Sequence, residues 1–429
     1  MRNMIPIYRL MPDALSGRPN QIMRFVEEHM KRIRKTASLV AGTSLLALAS
    51  YQSHAEEAVK VGLLLPYSGV YAQLAKDIDD AWQLALKERG GKVGDYTVEL
   101  ITEDTEASPQ VAGQKANKVV KSDGAAVIAG VVSSGAGIAL AGFAEKEKVP
   151  FVAAFSIADP LTGKFCNPYV ARTSFSANAL QSASGAYWAK AGVKTAVTLG
   201  PDYAAGHAMM EGFKRGFEAA GGEVVLVEYT PFGKTKDWGP SLLKAQQTGA
   251  DIIYSFYAGS DAVQVVKQHA GFGMKEAMPL RGAMWLYDEA LWDAMGGDQL
   301  DAIHVTVYTN ALDTEASERF EKAFAEMHGH APVASNALGY DNAVATLDGL
   351  AAAIEANGGK LPEDKAKIID ALTGLTIDSP RGPLTFNSSH NAKVDNLYMV
   401  QVVDEGDGPK QKLLEPIPYG EDLPGCDMQ

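Results

Sequence analysis

Cysteine is scarce in this chain. Two occur in 429 residues, Cys166 and Cys426, too few for a cysteine-based zinc site or a disulfide-dense small scaffold. Histidine is sparse too. His207, His269, His304, His328, His330 and His390 are scattered, and no His-Glu-x-x-His run exists. The one close pair, His328-Gly329-His330, sits at an apparent helix end, where exposed histidines need no metal. No Gly-x-Ser-x-Gly elbow surrounds Ser133 or Ser134. A Walker A run is missing. Gly135-x-Gly137 would need a small residue at position 140, which is Leu140, so the dinucleotide fingerprint fails. Positive charge is in deficit: 39 Lys and Arg face 52 Asp and Glu, a net charge of −13 at pH 7. That balance argues against nucleic acid and against anionic membrane surfaces. These gaps leave no expected metal, cofactor or catalytic residue.

What is present begins with a leader. Met30 to Ala55 runs MKRIRKTASLVAGTSLLALASYQSHA. Lys31, Arg32, Arg34 and Lys35 make a basic start, residues 37–49 are almost all apolar or small, and Ser53-His54-Ala55 is a small-x-small cleavage site. The expectation is a signal peptide over 30–55, cut after Ala55. Its apolar part is shorter than the about 20 residues that span a bilayer. No later run is long enough either, so no intrinsic membrane span is expected. Residues 1–29 have no place in a signal peptide and suggest a start assigned too far upstream, with a cytoplasmic extension as the alternative. Export places Cys166 and Cys426 in an oxidising compartment, where an even count fits one disulfide tying the tail to the loop at Phe165-Cys166-Asn167-Pro168. Two unpaired thiols are the alternative.

Past the leader, strands and helices alternate. VKVGLLLPYSG is an apolar strand ending in a turn, and Leu74, Ile78, Ala81, Trp82 and Ala85 then follow helical spacing. YTVELITED, AAVIAGVV and PFVAAFS are further strands, with helices expected over 109–122 and 138–147. The second half repeats the pattern through KTAVTLG, EVVLVEYT, DIIYSFY, PLRGAMW and AIHVTVYTN. Short, continuously apolar strands between helices imply parallel sheets covered on both faces. The expected class is α/β, with two doubly wound lobes. RGPLTFNSSHNAKVDNLYMVQVV departs from the alternation and is expected to be a hairpin turning at 387–391.

In doubly wound sheets ligands bind beyond the carboxyl ends of the strands. There, Ser133-Ser134-Gly135-Ala136-Gly137 links a strand to a helix, and a helix start presents backbone N–H groups to an anion. Tyr71, Phe155, Tyr203, Tyr257 and Trp285 fall on other strand-end loops from both halves, and could wall a small apolar pocket. Glu103, Asp104 and Glu106 could serve a glycosidase, but clustered acids after a strand are more simply solvated. Binding, not catalysis, is the expectation.

At these residues the chain resembles the type I periplasmic solute-binding proteins of ABC importers, in the branched-chain or hydrophobic amino acid receptor branch. VKVGLLLPYSGVYAQLAKD is similar to the family's opening strand and turn, VIAGVVSSG to its ligand-carboxylate loop, NPYVARTS to the entry into the second lobe, and GPDYAAG to the loop that brings a Tyr to the ligand. The resemblance implies two lobes joined by three crossings, near 173–176, 306–310 and 378–382, with the ligand between them. It divides the chain into lobe 1 (56–175 and 309–379), lobe 2 (176–308 and 380–415) and a tail (416–429). It implies ligand contacts from Tyr71, Leu74, Ser133, Ser134, Gly135, Phe155 and Ser156 in lobe 1, and from Tyr203, Tyr257, Gly259, Trp285 and Asp288 in lobe 2. Amino-acid receptors of the branch place an acid where GAMWLYDE here puts Trp285, with Asp288 nearby. GKFCNPY, PDYAAGHAMMEGFKRGF, SPRGPLTFNSSH and the tail GCDMQ are closer to members taking aromatic or apolar carboxylates. A monomeric periplasmic receptor that delivers a small carboxylate to a membrane permease is implied, with a branched-chain or other hydrophobic amino acid as the next ligand class. A sensor of the same fold, for an amide, urea or acid, is the alternative.

Overall fold

The computed structural model describes residues 57–426 together with Glu27. The expected signal peptide and upstream segment lie outside the described residues.

Two sheets form the frame. The first has the order β2-β3-β1-β4-β5-β6, from β1 (Ala58–Leu65), β2 (Lys92–Val93), β3 (Tyr96–Asp104), β4 (Val127–Gly130), β5 (Phe151–Ala153) and β6 (Val170–Arg172). All its pairings are parallel except β2 with β3. The apolar run of β1 explains its central place: Val59, Val61, Leu63, Leu64 and Leu65 are all buried. The second sheet has the order β15-β14-β11-β10-β9-β7-β8. It comprises β7 (Thr195–Asp202), β8 (Glu223–Pro231), β9 (Ile252–Ser255), β10 (Leu280–Ala283), β11 (Ile303–Thr306), β14 (Asn396–Asp404) and β15 (Pro409–Pro418). Strands β7 to β11 run parallel, and β14 and β15 add antiparallel to that edge. The fold is therefore α/β with two mixed sheets. β12 (Thr385–Phe386) and β13 (Ala392–Lys393) pair separately, as the expected hairpin around 387–391.

Helices cover both faces. After β1 comes α1 (Ala72–Glu88), and every predicted apolar position on it is buried. It packs on α10 (Ala334–Ala356), where Trp82 Nε1 donates to Asn342 Oδ1 at 3.1 Å. α2 (Pro109–Asn117) and α3 (Ser134–Glu147) flank β4. α3 starts at Ser134, a turn earlier than expected, because the Gly-Ala-Gly stretch is helical. A side chain at Gly137 would meet Ser156 Oγ at 1.8 Å, so glycine there lets the helix lie against the loop after β5. The second sheet carries α4 (Ala177–Lys190), α5 (Ala204–Ala219), α6 (Gly239–Thr248), α7 (Gly259–Gly271) and the short α8 (Trp292–Met295). α9 (Glu315–His328), α10 and α11 (Ala366–Thr373) return to the first.

Cys166 and Cys426 form a disulfide with Cα atoms 6.2 Å apart, within the ordinary span of such bonds. No helix among the described residues is long and apolar enough to cross a membrane.

Candidate functional site

Both sheets present strand ends to one small cavity. From elements of the first sheet come Tyr71, Leu74, Val132, Phe155 and Ile157. From elements of the second come Tyr203, Ala205, Phe256, Ala258 and Trp285. All ten are apolar or aromatic, and no carboxylate lines it. Trp285 is the hub: its ring lies 6.0 Å from Phe155, 5.7 Å from Phe175 and 5.5 Å from Phe256, centroid to centroid. Phe232 stacks on Tyr203 at 4.3 Å and tilts against Tyr71 at 5.5 Å. The cavity leaves about 10 Å³ to the centre of a water-sized sphere, room for about one water. A ring enters only if the aromatic walls part.

The polar components are backbone groups. α3, α5 and α7 all start at the cavity edge, with Ser133 (beside Val132), Tyr203 and Ala258 as their N-caps. None of these caps uses its side chain on its own helix. By contrast α2, α4 and α9 are capped by Ser108, Ser176 and Thr314 side chains. The first helical bonds are Gly137 N–H to Ser133 O (2.9 Å) and His207 N–H to Tyr203 O (3.0 Å), leaving the preceding N–H groups outside the helical ladder. The starts of α3 and α5 favour a negatively charged group, whereas the first turn of α7 already carries Asp261. The hydroxyls of Tyr71 and Tyr203 join at 2.6 Å. Burial raises both their pKa values, so both stay protonated at neutral pH.

The expected site residues divide. Tyr71, Leu74, Phe155, Tyr203 and Trp285 line the cavity. Ser133 borders it as the cap of α3. Ser134 Oγ accepts from Ala158 N–H at 3.1 Å, which fixes the loop after β5. Ser156 packs its hydroxyl toward Gly137 and Gly135 lies near Pro109, so both support the wall from behind. Gly259 sits where the two halves touch: a Cβ there would meet the Val70 carbonyl oxygen at 1.9 Å. Tyr257 is a correction. It turns into the second half's core, bonding Thr230 Oγ1 at 2.8 Å and meeting Trp238 edge-on. Phe256, its neighbour, faces the cavity instead. Asp288 does not line the cavity either: it accepts from Ala290 N–H at 3.1 Å and lies beside Trp285 with Glu289, Ser335 and Gln411. Burial pushes its carboxyl up to about 6, and burial with the Asp288 charge raises that of Asp77. Glu103 is tied to Lys115 and Lys118, whose hydrogen bonds lower its pKa. His328 bonds the Asp80 carbonyl through Nε2 at 3.1 Å.

Val132, Ile157, Ala205, Phe256 and Ala258 also line the cavity, and Phe232 stacks beside it, although no motif in the sequence marks them. A poor helix-capping residue before a helix, as at Tyr203 and Ala258, was the available signal.

A sequence profile described as periplasmic binding protein matches residues 58–408. The chain belongs to the periplasmic binding protein family. Among its relatives in this family is a Leu/Ile/Val-binding protein homolog 6 of Brucella melitensis, 29% identical over 384 residues, which are 88% of this chain and 95% of the relative. Among solved structures, an ABC-transporter solute-binding protein from R. palustris in complex with benzoate is 31% identical, with a TM-score of 0.79, covering 86% of this chain and 100% of its own. A second from R. palustris, in complex with 4-hydroxybenzoate, is 26% identical, with a TM-score of 0.78, covering 85% and 98%. Family members are binding proteins of transport systems. The aromatic-acid complexes fall in the branch that the sequence resembles.

Proposed function

We propose that this protein is the solute-binding component of an ABC importer, which captures a small aromatic carboxylate in the periplasm and delivers it to a membrane permease. One observation carries the reading: an aromatic cavity without any acid in its wall is bordered by the starts of α3 and α5, which have neither a side-chain cap nor an acid in the first turn. The helix starts supply partial positive charge for a carboxylate. The aromatic walls stack on a ring. An α-amino acid fits less well, because a buried ammonium would meet no carboxylate in the cavity wall, and an unpaired buried charge costs several kcal/mol. The ligands in the R. palustris complexes support the aromatic class.

In this reading Ser133, with the backbone of Ser134 and Gly135, holds the carboxylate from lobe 1. Phe155, Phe256 and Trp285 enclose the ring, and Tyr71 and Tyr203 latch the lobes. The protein acts as a monomer, without catalysis, after cleavage at Ala55. The lobes are 57–175 with 309–393, and 176–308 with 394–418. Two contacts support placing the third crossing after 393 in place of 378–382 and ending lobe 2 at 418: Asn391 bridges Arg172 of β6, and β15 runs to Pro418.

Thermal unfolding against a ligand panel tests this. Benzoate, 4-hydroxybenzoate and phenylacetate at about 100 times the dissociation constant should add about 2.7 kcal/mol. Leucine and phenylalanine should not. Stabilisation by the amino acids alone would overturn the aromatic-acid reading. Ser133→Asp should abolish the benzoate shift by repulsion while the protein stays folded; an unchanged shift would remove the α3 start from the site.

A further inference from the structure

β15 ends at Pro418 in the second sheet, and the segment after it leaves that sheet for the first. Tyr419 N–H donates to the Asp395 carbonyl at 3.1 Å. Asn178 Nδ2, at the start of α4, donates to the Glu421 carbonyl at 2.8 Å. Asp422 then gathers three donors: Ser176 Oγ at 2.5 Å, Asn387 Nδ2 at 2.9 Å and Asn391 Nδ2 at 2.9 Å. Ser176 follows the first passage between the halves, and Asn387 and Asn391 precede the last. One carboxylate thus ties two passages together. Ser389 Oγ donates to the Cys426 carbonyl at 3.0 Å, and Cys426 is bonded to Cys166, in the loop before β6.

The path is closely fitted. A Cβ at Gly420 would meet the Ala179 carbonyl at 2.1 Å, and one at Gly425 would meet Ser389 Oγ at 1.9 Å. The segment is also wired to the cavity. Asn391, which donates to Asp422, accepts from Arg172 Nε at 2.5 Å. Arg172 is fully buried, and its Nη1 donates to the carbonyls of Ser156 (3.3 Å) and Ala158 (3.1 Å). Those two residues flank Ile157 of the cavity wall.

We propose that residues 419–426 form a fourth connection between the lobes, closed covalently by Cys166–Cys426, which limits how far they open and links that limit to the ligand loop through Asn391 and Arg172. This rests on the two-lobe reading above. Three strands side by side leave a hinge free to bend and twist. A fourth, bonded to both lobes and to two of the crossings, removes part of that freedom. Open states are then fewer, and the fraction ready to close on ligand is larger.

The test compares wild type with Cys166→Ser/Cys426→Ser and with that pair carrying Asp422→Ala. Small-angle scattering gives the radius of gyration with and without benzoate, and calorimetry gives the benzoate dissociation constant. Without ligand, the variants should have a larger radius. With saturating benzoate, all should match. If the strap keeps most molecules competent to close, its release should weaken benzoate binding about tenfold. Unchanged radius and affinity in folded variants would overturn the proposal. Reduction of wild type by dithiothreitol under native conditions supplies the same comparison where a variant does not fold. If wild type binds no aromatic acid, the ligand assignment fails, while the ligand-free radii still decide the strap.

Discussion

The Tyr71 hydroxyl lies 2.6 Å from the Tyr203 hydroxyl, joining the start of α1 to the start of α5 across the cleft between the two sheets. The bond is short and part-buried, and 132 residues separate its partners in the chain. It can exist only while the halves are together.

Tyr71→Phe or Tyr203→Phe leaves the opposite hydroxyl buried and unpartnered, at about 1–3 kcal/mol. That cost falls on the closed form alone. Benzoate affinity should therefore drop by about tenfold, read by titration calorimetry, with little change in the thermal stability of the ligand-free protein. Wild-type affinity in both variants would take this pair out of closure.

Gly259→Ala places a methyl group 1.9 Å from the Val70 carbonyl, at a residue whose φ is +59°. Neither atom can yield easily, since one is backbone and the other starts a helix. The expected result is a wedge that holds the halves apart, with ligand binding weakened at least as much as by loss of the tyrosine pair. Scattering in the presence of benzoate checks it: the variant should stay at its ligand-free radius.

Trp285→Ala removes the ring that meets Phe155, Phe175 and Phe256. A core truncation of this size costs about 3–5 kcal/mol of stability. Selectivity is the sharper readout. Aromatic pairing is worth about 0.5–1.5 kcal/mol beyond buried area, so the preference for benzoate over cyclohexanecarboxylate should shrink. An unchanged ratio would mean that the tryptophan fills space without recognising the ring.

Stability should fall as pH rises from about 4 to about 6. Asp288 titrates at about 6 in the folded protein because burial disfavours its charge, against about 3.9 when unfolded. In that window the folded state holds more protons than the unfolded one, so raising the pH favours unfolding. Two pKa units correspond to roughly 3 kcal/mol, fully lost above the folded pKa. The Asp77 carboxyl is shifted in the same direction. Thermal unfolding across the range should show a slope that Asp288→Asn reduces; an identical slope in that variant would exclude the residue.

Much of this architecture was readable because buried parallel strands are continuous apolar runs. β1, β4, β7 and β9 are of that kind, and the helix spacing from Leu74 to Ala85 named the buried face of α1 correctly. β15 was missed. PKQKLLEPIP has three prolines, Pro409 and Pro416 bounding a charged stretch and Pro418 closing it, and an edge strand with one open face needs no continuous apolar pattern. The cavity was half readable. Residues fixed by helix starts, such as Tyr203, could be placed. Residues just past a strand end were harder to choose: Phe256 keeps the side of Ile252 and Tyr254 and Tyr257 that of Ile253, so the alternation of β9 runs on past Ser255, and only the placement of the sheet tells which side meets the cavity. Asp288 looked available for a ligand, but a local backbone N–H already engages it, as happens often to aspartates in turns.

The uncapped starts of α3 and α5 also bear on how such a receptor can change over generations. An anion held by peptide N–H groups is held by atoms common to every residue except proline. In the proposed reading, side-chain substitution can reshape the walls around Phe155, Phe256 and Trp285, and so retune which ring is accepted, without deleting the grip on the acid. The part of the site that chooses among ligands is free to drift, while the part that anchors them is inherited with the fold.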